Sequence, residues 1–197
     1  WEVIDDRVLD VLRDVRREEF VPALHRKLAF SDLRIPLGHD QVMMKPIEQG
    51  RLLQSLGLGS DDEVLEVGTG SGFLTACLDC LAGRVTSLEI LESLAAQART
   101  VLEAQGLSDV DLRVGDVLSA TFDDGAFDAI VVTASVPSVP DPLVRWLRPG
   151  GRLFIVRGRS PAMEALLLTR TESGRLSEQS LFRSEEHTSE LQSPLCI

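Results

Sequence analysis

Three glycines at alternate positions constrain this chain more than any other feature. They belong to the run Glu66-Val67-Gly68-Thr69-Gly70-Ser71-Gly72, between a predicted strand and a predicted helix. Glycine permits a positive φ angle and lets a ligand approach the backbone, because no side chain stands in the way. The start of the helix adds free N–H groups and the positive end of the helix dipole. We therefore expect a ligand to bind at residues 68–72, the glycine loop.

Around this loop, short apolar segments alternate with segments of helical periodicity. The pattern predicts strands at 64–67, 84–88, 111–114, 127–133, 152–156 and 163–170. It predicts helices at 5–17, 46–57, 72–81, 93–105 and 140–147. Such alternation indicates an α/β fold in which a mostly parallel sheet has helices on both faces. Residues 23–46 show no clear period, and we expect loops and short turns there.

The acidic charge and the few cysteines argue against several classes of protein. The chain has 197 residues, a size that fits one domain, and a formal net charge of -11. A general nucleic-acid binder would need a basic surface instead. No apolar run is long enough to span a membrane. The 3 cysteines are too few for a disulfide framework. We therefore expect a cytoplasmic monomer without nucleic-acid or membrane partners.

Both ends of the chain carry expectations of their own. The first residue is Trp1 rather than Met, so we expect a fragment of a longer protein. The segment 183–193 (RSEEHTSELQS) resembles the translation of a sequencing adapter. We therefore expect 183–197 to be an artefactual tail and 1–182 to form a single domain.

Acidic residues follow the next two predicted strands. Glu89 ends one strand, where its carboxylate can accept hydrogen bonds from both hydroxyls of a ribose. Asp116, with Val117 beside it, follows another, where a carboxylate can meet an adenine amino group. Two further features flank later strands, because the pair Phe127-Asp128 opens one predicted strand and the segment 147–153 (LRPGGRL) precedes the next. Their order along the chain favours a nucleoside-containing ligand.

The spacing Glu66-x-Gly68-x-Gly70-x-Gly72 resembles the first motif of class I methyltransferases. That resemblance implies a three-layer Rossmann-like fold and the cofactor S-adenosyl-L-methionine, whose methionine part packs against the loop. It implies cofactor contacts at Glu66, Gly68, Thr69, Gly70, Ser71, Gly72, Glu89, Asp116 and Val117. The dinucleotide fingerprint has Gly-x-Gly-x-x-Gly instead, so a nicotinamide-dependent dehydrogenase is disfavoured.

Further segments are similar to the protein-L-isoaspartate O-methyltransferase family over residues 1–182. They are 15–22 (VRREEFVP), 29–32 (AFSD), 35–37 (IPL), 64–73 (VLEVGTGSGF) and 130–134 (IVVTA). The resemblance implies methylation of isoaspartyl carboxylates in damaged proteins, which would be the partners of this chain. It also implies a substrate-side cap at 1–57 and a cofactor-binding core at 58–182.

One stretch departs from the family pattern. The family typically has Gly-Gln-Thr-Ile-Ser-Gln-Pro before the glycine loop, with the Ser near the transferred methyl group. The matching residues here are 40–46 (DQVMMKP), so Val42 replaces the Thr and Met44 replaces the Ser. Neither side chain can donate a hydrogen bond from a hydroxyl. The catalytic residue therefore stays unassigned, while methyl transfer still depends mainly on alignment of the reactants.

Two other functions stay open beside isoaspartyl methylation. The replacements at Val42 and Met44 allow a class I methyltransferase with another substrate. They also allow a protein that binds the cofactor without turnover. Cys77 and Cys80 form a C-x-x-C pair, but no second pair completes a zinc site, so we expect them to pack inside the helix after the loop.

Overall fold

A seven-stranded mixed sheet organises the protein in a computed structural model that describes residues 3–159 and 162–184. The order of the strands is β5-β4-β3-β6-β7-β8-β9. The strands of this sheet are β3 (Glu63–Val67), β4 (Arg84–Glu89), β5 (Asp111–Val114), β6 (Phe127–Val136), β7 (Leu147–Arg159), β8 (Ala162–Arg170) and β9 (Leu176–Ser184). The first five run parallel, whereas β8 and β9 pair antiparallel.

Five α-helices in the described part of the chain cover the sheet. They are α1 (Asp6–Asp14), α2 (Pro46–Leu56), α3 (Phe73–Leu81), α4 (Glu92–Ala104) and α5 (Asp141–Trp146). The predicted helix starts and stops agree with the structure at Asp5, whose side chain accepts hydrogen bonds at the start of α1, and at Gly57, which ends α2 with φ 53°. The predicted α/β architecture, three layers with a mostly parallel sheet and helices on both faces, is confirmed.

The alternation of side chains along each strand divides the apolar core between the two faces. On one face, Val64 of β3 lies in a cluster with residues of α1, α2 and α3. On the other face, Leu65 lies in a second cluster with Leu143 and Trp146 of α5. Because successive residues of a strand point to opposite faces, Glu66 points to the face that α3 covers.

The segment between α1 and α2 contains more structure than its sequence predicts. Two 3₁₀ turns, Arg17–Glu19 and Ala23–Leu28, are followed by an antiparallel hairpin of β1 (Ile35–Gly38) and β2 (Gln41–Met43). The expectation of loops and turns at 23–46 is therefore wrong for the hairpin. Pro36 and Gly38 are typical of loops, and the strands are too short to show alternation.

The last strand of the sheet was not predicted. β9 pairs with β8, and Arg183 and Ser184, which open the expected tail, continue this pairing opposite Glu164 and Met163. The rest of that tail lies outside the described residues. Residues 172–180 are exposed, so a burial pattern could not reveal the strand.

Candidate functional site

The glycine loop lies where the order of the strands reverses. From β3 the chain proceeds outward to β4 and β5, and then returns to the other side of β3 as β6. In open α/β sheets a ligand binds beyond the carboxyl ends of the strands at such a switch point. The carboxyl ends of β3, β4 and β5 therefore bring the predicted residues to one edge of the sheet.

Gly68 is fixed at the end of β3 by its neighbours. Its φ is 95°, and its N–H donates to the carbonyl of Leu88 at 2.8 Å. The hydroxyl of Thr133, at the end of the buried part of β6, lies 3.1 Å from the Val67 carbonyl and 3.0 Å from the Gly68 carbonyl. A Cβ at Gly68 would lie only 2.3 Å from the Thr133 Oγ1. Only glycine fits here, and sequence reasoning gave Thr133 no role.

Gly70 is held by the carboxylate that ends β4. The Gly70 N–H donates to Glu89 Oε2 at 2.9 Å, and the Leu91 N–H donates to Glu89 Oε1 at 3.0 Å. Glu89 is only 4% exposed, so these bonds orient it from two sides. Each carboxylate oxygen keeps a further lone pair for a ligand hydroxyl. The structure thus joins the glycine loop to the acid at the end of the neighbouring strand, a contact that the sequence did not predict.

The remaining residues of the loop form its turn into α3. Gly72, with φ 83°, is the cap of α3, and its N–H donates to the Thr69 carbonyl at 2.9 Å. The Ser71 hydroxyl accepts from the Phe73 N–H at 3.4 Å. The N–H groups of all three loop glycines donate within the protein, so they are not available to a ligand. These glycines offer close approach to the backbone instead.

Glu66 is fully buried beneath the glycine loop. Its Oε2 accepts from the hydroxyls of Thr75 and Ser87, each at 2.6 Å, and its Oε1 has no partner among the described residues. Burial raises the pKa of the Glu66 carboxyl to about 7, against the hydrogen bonds from Ser87 and Thr75. The Thr69 hydroxyl lies 2.6 Å from the Ser87 hydroxyl, so Ser87 links Glu66 to the loop. Glu66 thus contacts the underside of the loop rather than its open face.

Asp116 lies beyond β5, next in the sheet to the end of β4. The Gly115 N–H donates to the Glu89 carbonyl at 2.9 Å, which extends the pairing of the two strands by one residue. Asp116 is half-buried and accepts from the Leu118 N–H at 2.8 Å. Val117 is buried against the second apolar cluster. Asp116 therefore reaches the same edge as Glu89, in a turn that it stabilises itself.

The other two features lie at the opposite end of the strands. Asp128, at the start of β6, accepts from the Glu63 N–H at 2.9 Å and pairs with Arg148. Arg152 contacts the carbonyls of Leu56 and Gly57 at the end of α2, and it pairs with Asp62, directly before β3, at 2.5 Å. These contacts join the amino ends of the strands. The structure places both features away from the glycine loop, since Phe127-Asp128 opens β6, as the sequence predicted, and 147–153 begins β7.

The β1–β2 hairpin lies over the glycine loop. A Cβ at Gly70 would lie 3.3 Å from Leu37 Cδ1, and the His39 Nε2 lies 2.9 Å from the Ser93 hydroxyl at the start of α4. Val42 is 39% exposed on β2, and Met44 is half-buried just after it. The hairpin thus brings the two replaced positions to the side of the sheet that holds the loop.

This arrangement fits S-adenosyl-L-methionine. A Cβ at Gly68 would clash with the Thr133 hydroxyl, so the backbone of the loop packs tightly against β6 beneath the face that a ligand would approach. Glu89 holds a fixed carboxylate that ribose hydroxyls could reach, and Asp116 lies just beyond the end of the neighbouring strand. The side chains of the loop are short and neutral, as a ligand with a sulfonium and an amino acid group requires for close approach.

The cysteines and the acidic residues make no metal site in the described part of the chain. No group of three or more His, Cys, Asp or Glu side chains is placed there to hold a metal ion. Cys77 is buried in α3 and Cys80 is exposed, both as free thiols. Burial raises the pKa of the Cys77 thiol, as expected for a packing residue. Likewise, no described helix is long and apolar enough to cross a membrane.

Comparisons with known proteins agree with this geometry. The family model described as protein-L-isoaspartate(D-aspartate) O-methyltransferase matches residues 2–182. The chain is 41% identical over 172 residues to the protein-L-isoaspartate O-methyltransferase of Anaeromyxobacter dehalogenans, covering 86% of this chain and 82% of the relative. It is 40% identical over 163 residues to that of Myxococcus xanthus, covering 83% and 77%.

A solved structure shows the same fold. A Plasmodium falciparum protein-L-isoaspartate O-methyltransferase, in complex with S-adenosyl-L-homocysteine, superimposes with a TM-score of 0.78. The match covers 92% of this chain and 89% of the other, at 21% sequence identity. The extent of the sequence matches, together with this fold, shows that the chain belongs to the protein-L-isoaspartate O-methyltransferase family.

Proposed function

We propose that this chain is an S-adenosyl-L-methionine-dependent carboxyl O-methyltransferase that methylates isoaspartyl residues of damaged proteins. The family to which it belongs acts on isoaspartyl-containing proteins. The single observation that carries the proposal is the hydrogen bond of the Glu89 carboxylate to the Gly70 N–H at 2.9 Å. This bond holds the carboxylate at the end of β4 against the glycine loop that follows β3. Together they form the place where the nucleoside part of a sulfonium cofactor would bind.

The cofactor supplies an electrophilic methyl group on a sulfonium. The chain then has to hold an acceptor carboxylate in line with it, and a carboxylate needs no base to become a nucleophile at neutral pH. We assign cofactor binding to the glycine loop, Glu89, Asp116 and Val117. We assign to Glu66 the support of the loop through Ser87 and Thr69.

Because the replaced positions carry no hydroxyl, other groups of the protein must bind the acceptor carboxylate. Val42 and Met44 stand where the family pattern has Thr and Ser, so their side chains cannot hydrogen-bond to the substrate carboxylate. These replacements support the second candidate, a methyltransferase of this fold with another acceptor. A cofactor-binding protein without turnover is the third.

We further propose a cytoplasmic monomer without nucleic-acid or membrane partners, built as one domain over 1–182. The free thiols of Cys77 and Cys80 support a reducing compartment, and the net charge of -11 supports the absence of a nucleic-acid partner. One apolar cluster includes Val8 of α1, Leu52 of α2 and Phe154 of β7, so the proposed cap (1–57) and core (58–182) share a core.

The test is transfer of a radiolabelled methyl group to a pair of peptides that differ only in one isoaspartyl or aspartyl residue. We expect base-labile label on the isoaspartyl peptide alone. Isothermal calorimetry with S-adenosyl-L-methionine and with NAD is the control for cofactor choice. Binding of the cofactor without label on either peptide would refute the isoaspartyl assignment, and binding of NAD alone would refute the methyltransferase assignment.

A further inference from the structure

A buried arginine lies between the two halves of the proposed site. Arg17, in the first 3₁₀ turn, is only 2% exposed. Burial lowers the pKa of its guanidinium to about 10, so it remains charged at neutral pH. A buried charge is costly unless its hydrogen bonds are satisfied, and a Leu or Met would fill the same space at lower cost. The contacts of this side chain therefore indicate what it does.

Arg17 binds three segments that no strand or helix holds together. Its Nε donates to the Ala29 carbonyl at 2.6 Å, and its Nη2 donates to the Met44 carbonyl at 2.8 Å. Its Nη1 donates to Oε1 of Gln49 in α2. All three acceptors are neutral, so none is a charge that Arg17 is needed to neutralise. The guanidinium instead fixes the path of the backbone at Met44, directly after the hairpin.

The same guanidinium contacts the helix that follows the glycine loop. Its central carbon lies 4.8 Å from the centroid of the Phe73 ring, and Phe73 is the first residue of α3 after Gly72. Phe20, three residues after Arg17, packs edge-on against the same ring at 5.8 Å. The stretch with the replaced positions and the loop with the proposed cofactor contacts are thus joined through one side chain.

We propose that Arg17 is a positioning residue, which holds the Met44 backbone in register with the glycine loop so that acceptor and methyl group are aligned. The inference rests on the proposed function. With no hydroxyl at Val42 or Met44, alignment of the acceptor depends more on the backbone of this stretch. A misplacement of about 1 Å can lower a rate by roughly 100-fold even when the chemical groups are all present.

The test compares Arg17→Met and Arg17→Lys with the unchanged protein. We expect Arg17→Met to lower kcat for the isoaspartyl peptide by about 10- to 100-fold. The dissociation constant of S-adenosyl-L-methionine should change by less than about 2-fold, because Glu89 and Thr133 hold the loop independently. Arg17→Lys keeps the charge and some donors, so its kcat should lie between the two.

Arg152→Met is the matched control. Arg152 also binds two carbonyls, Leu56 at 2.7 Å and Gly57 at 2.8 Å, but it lies at the amino ends of the strands. Its loss should lower stability and leave kcat unchanged below the unfolding temperature. If Arg17→Met does not fold, Gln49→Leu removes one acceptor of the same guanidinium and should lower kcat in the same way.

The outcomes distinguish failure of the proposed function from failure of the positioning role of Arg17. An inactive unchanged protein refutes the proposed function and this inference with it. An active protein whose Arg17→Met variant has a kcat equal to that of Arg152→Met refutes the positioning role alone. Equal losses of kcat and of cofactor affinity in Arg17→Met also refute it, because they would show collapse of the cofactor site.

Discussion

The glycine loop and the hairpin segment face each other across the proposed site, but different forces hold them. The loop is fixed by its own backbone, since the N–H groups of Gly68, Gly70 and Gly72 all donate to groups on strand ends or within the loop. The segment that carries Met44 is fixed by a distant side chain, the guanidinium of Arg17. A site can therefore combine a rigid half that local sequence specifies with a half in which a long-range contact supplements the local ones.

This difference between the two halves of the site predicts which of them tolerates substitution. The glycine loop has no space for a side chain at Gly68, whereas Val42 is 39% exposed and can be replaced without repacking. A change in acceptor is therefore easier to obtain in the hairpin segment than a change in cofactor in the loop. Four experiments test this contrast, from the rigid half of the site to the tolerant half.

The largest effect is expected for Gly68→Ala. A Cβ there would lie 2.3 Å from the Thr133 Oγ1 at a backbone φ of 95°. Strain and overpacking should together lower the free energy of unfolding by about 2 to 5 kcal/mol and abolish cofactor binding. Urea denaturation and calorimetry measure the two losses. Gly106→Ala is the control, since its φ is 81° and nothing lies within 4 Å of the added Cβ. Equal losses in both variants would contradict the steric account.

The next effect concerns Glu66 and pH. Burial raises the pKa of the folded carboxyl from 4.5 to about 7, so the folded state binds the proton more tightly than the unfolded one. The stabilisation that comes from this tighter proton binding is complete below the pKa of Glu66 in the unfolded state. It is lost as pH rises through the pKa of Glu66 in the folded state. From about pH 5 to about pH 8, the unfolding free energy should fall by about 2 to 3 kcal/mol more than in Glu66→Gln. Parallel stability curves for the two proteins would contradict the buried carboxyl as their source.

A smaller effect distinguishes the two acids at the strand ends. Glu89→Gln replaces a carboxylate that accepts two backbone N–H groups, at 2.9 and 3.0 Å, by an amide with one acceptor oxygen. We expect the affinity for S-adenosyl-L-methionine to fall by about 10- to 100-fold. Asp116→Asn keeps an acceptor for the Leu118 N–H and should weaken binding only by about 2- to 5-fold. The reverse order in calorimetry would show that Asp116 is the main anchor.

The smallest effect is expected in the tolerant half. The double substitution Val42→Thr with Met44→Ser restores the hydroxyls of the family pattern, and it should raise kcat for the isoaspartyl peptide by about 2- to 10-fold. Cofactor affinity should stay unchanged, because neither residue touches the glycine loop through a described hydrogen bond. Initial rates at saturating cofactor measure the gain. A fall in kcat would favour another acceptor as the natural substrate.

The sequence predicted correctly those features that depend on the residues immediately around them. Gly68, Gly70 and Gly72 all have positive φ angles, and Glu89 lies at the end of its strand as its position predicted. It failed for the β1–β2 hairpin, where Pro36 and Gly38 are typical of loops.

Long-range contacts explain the other failures. In the sequence, Arg17 is one of two adjacent arginines at the end of the predicted helix 5–17. No local pattern shows that it is buried or that it contacts Met44, 27 positions later in the chain. Likewise, no local pattern shows that Asp128, at the start of β6, accepts a hydrogen bond from the Glu63 N–H, 65 positions earlier in the chain.

The turn of the hairpin has a consequence for thermal adaptation. His39 and Asp40 have φ angles of 52° and 56°, a left-handed geometry that costs non-glycine residues about 1–2 kcal/mol each. Turns of this kind favour Asn-Gly, which adopts the geometry with little strain. Replacement of these two surface residues by Asn-Gly would therefore stabilise the folded state, and a lineage exposed to heat could gain heat tolerance in this turn without altering its core.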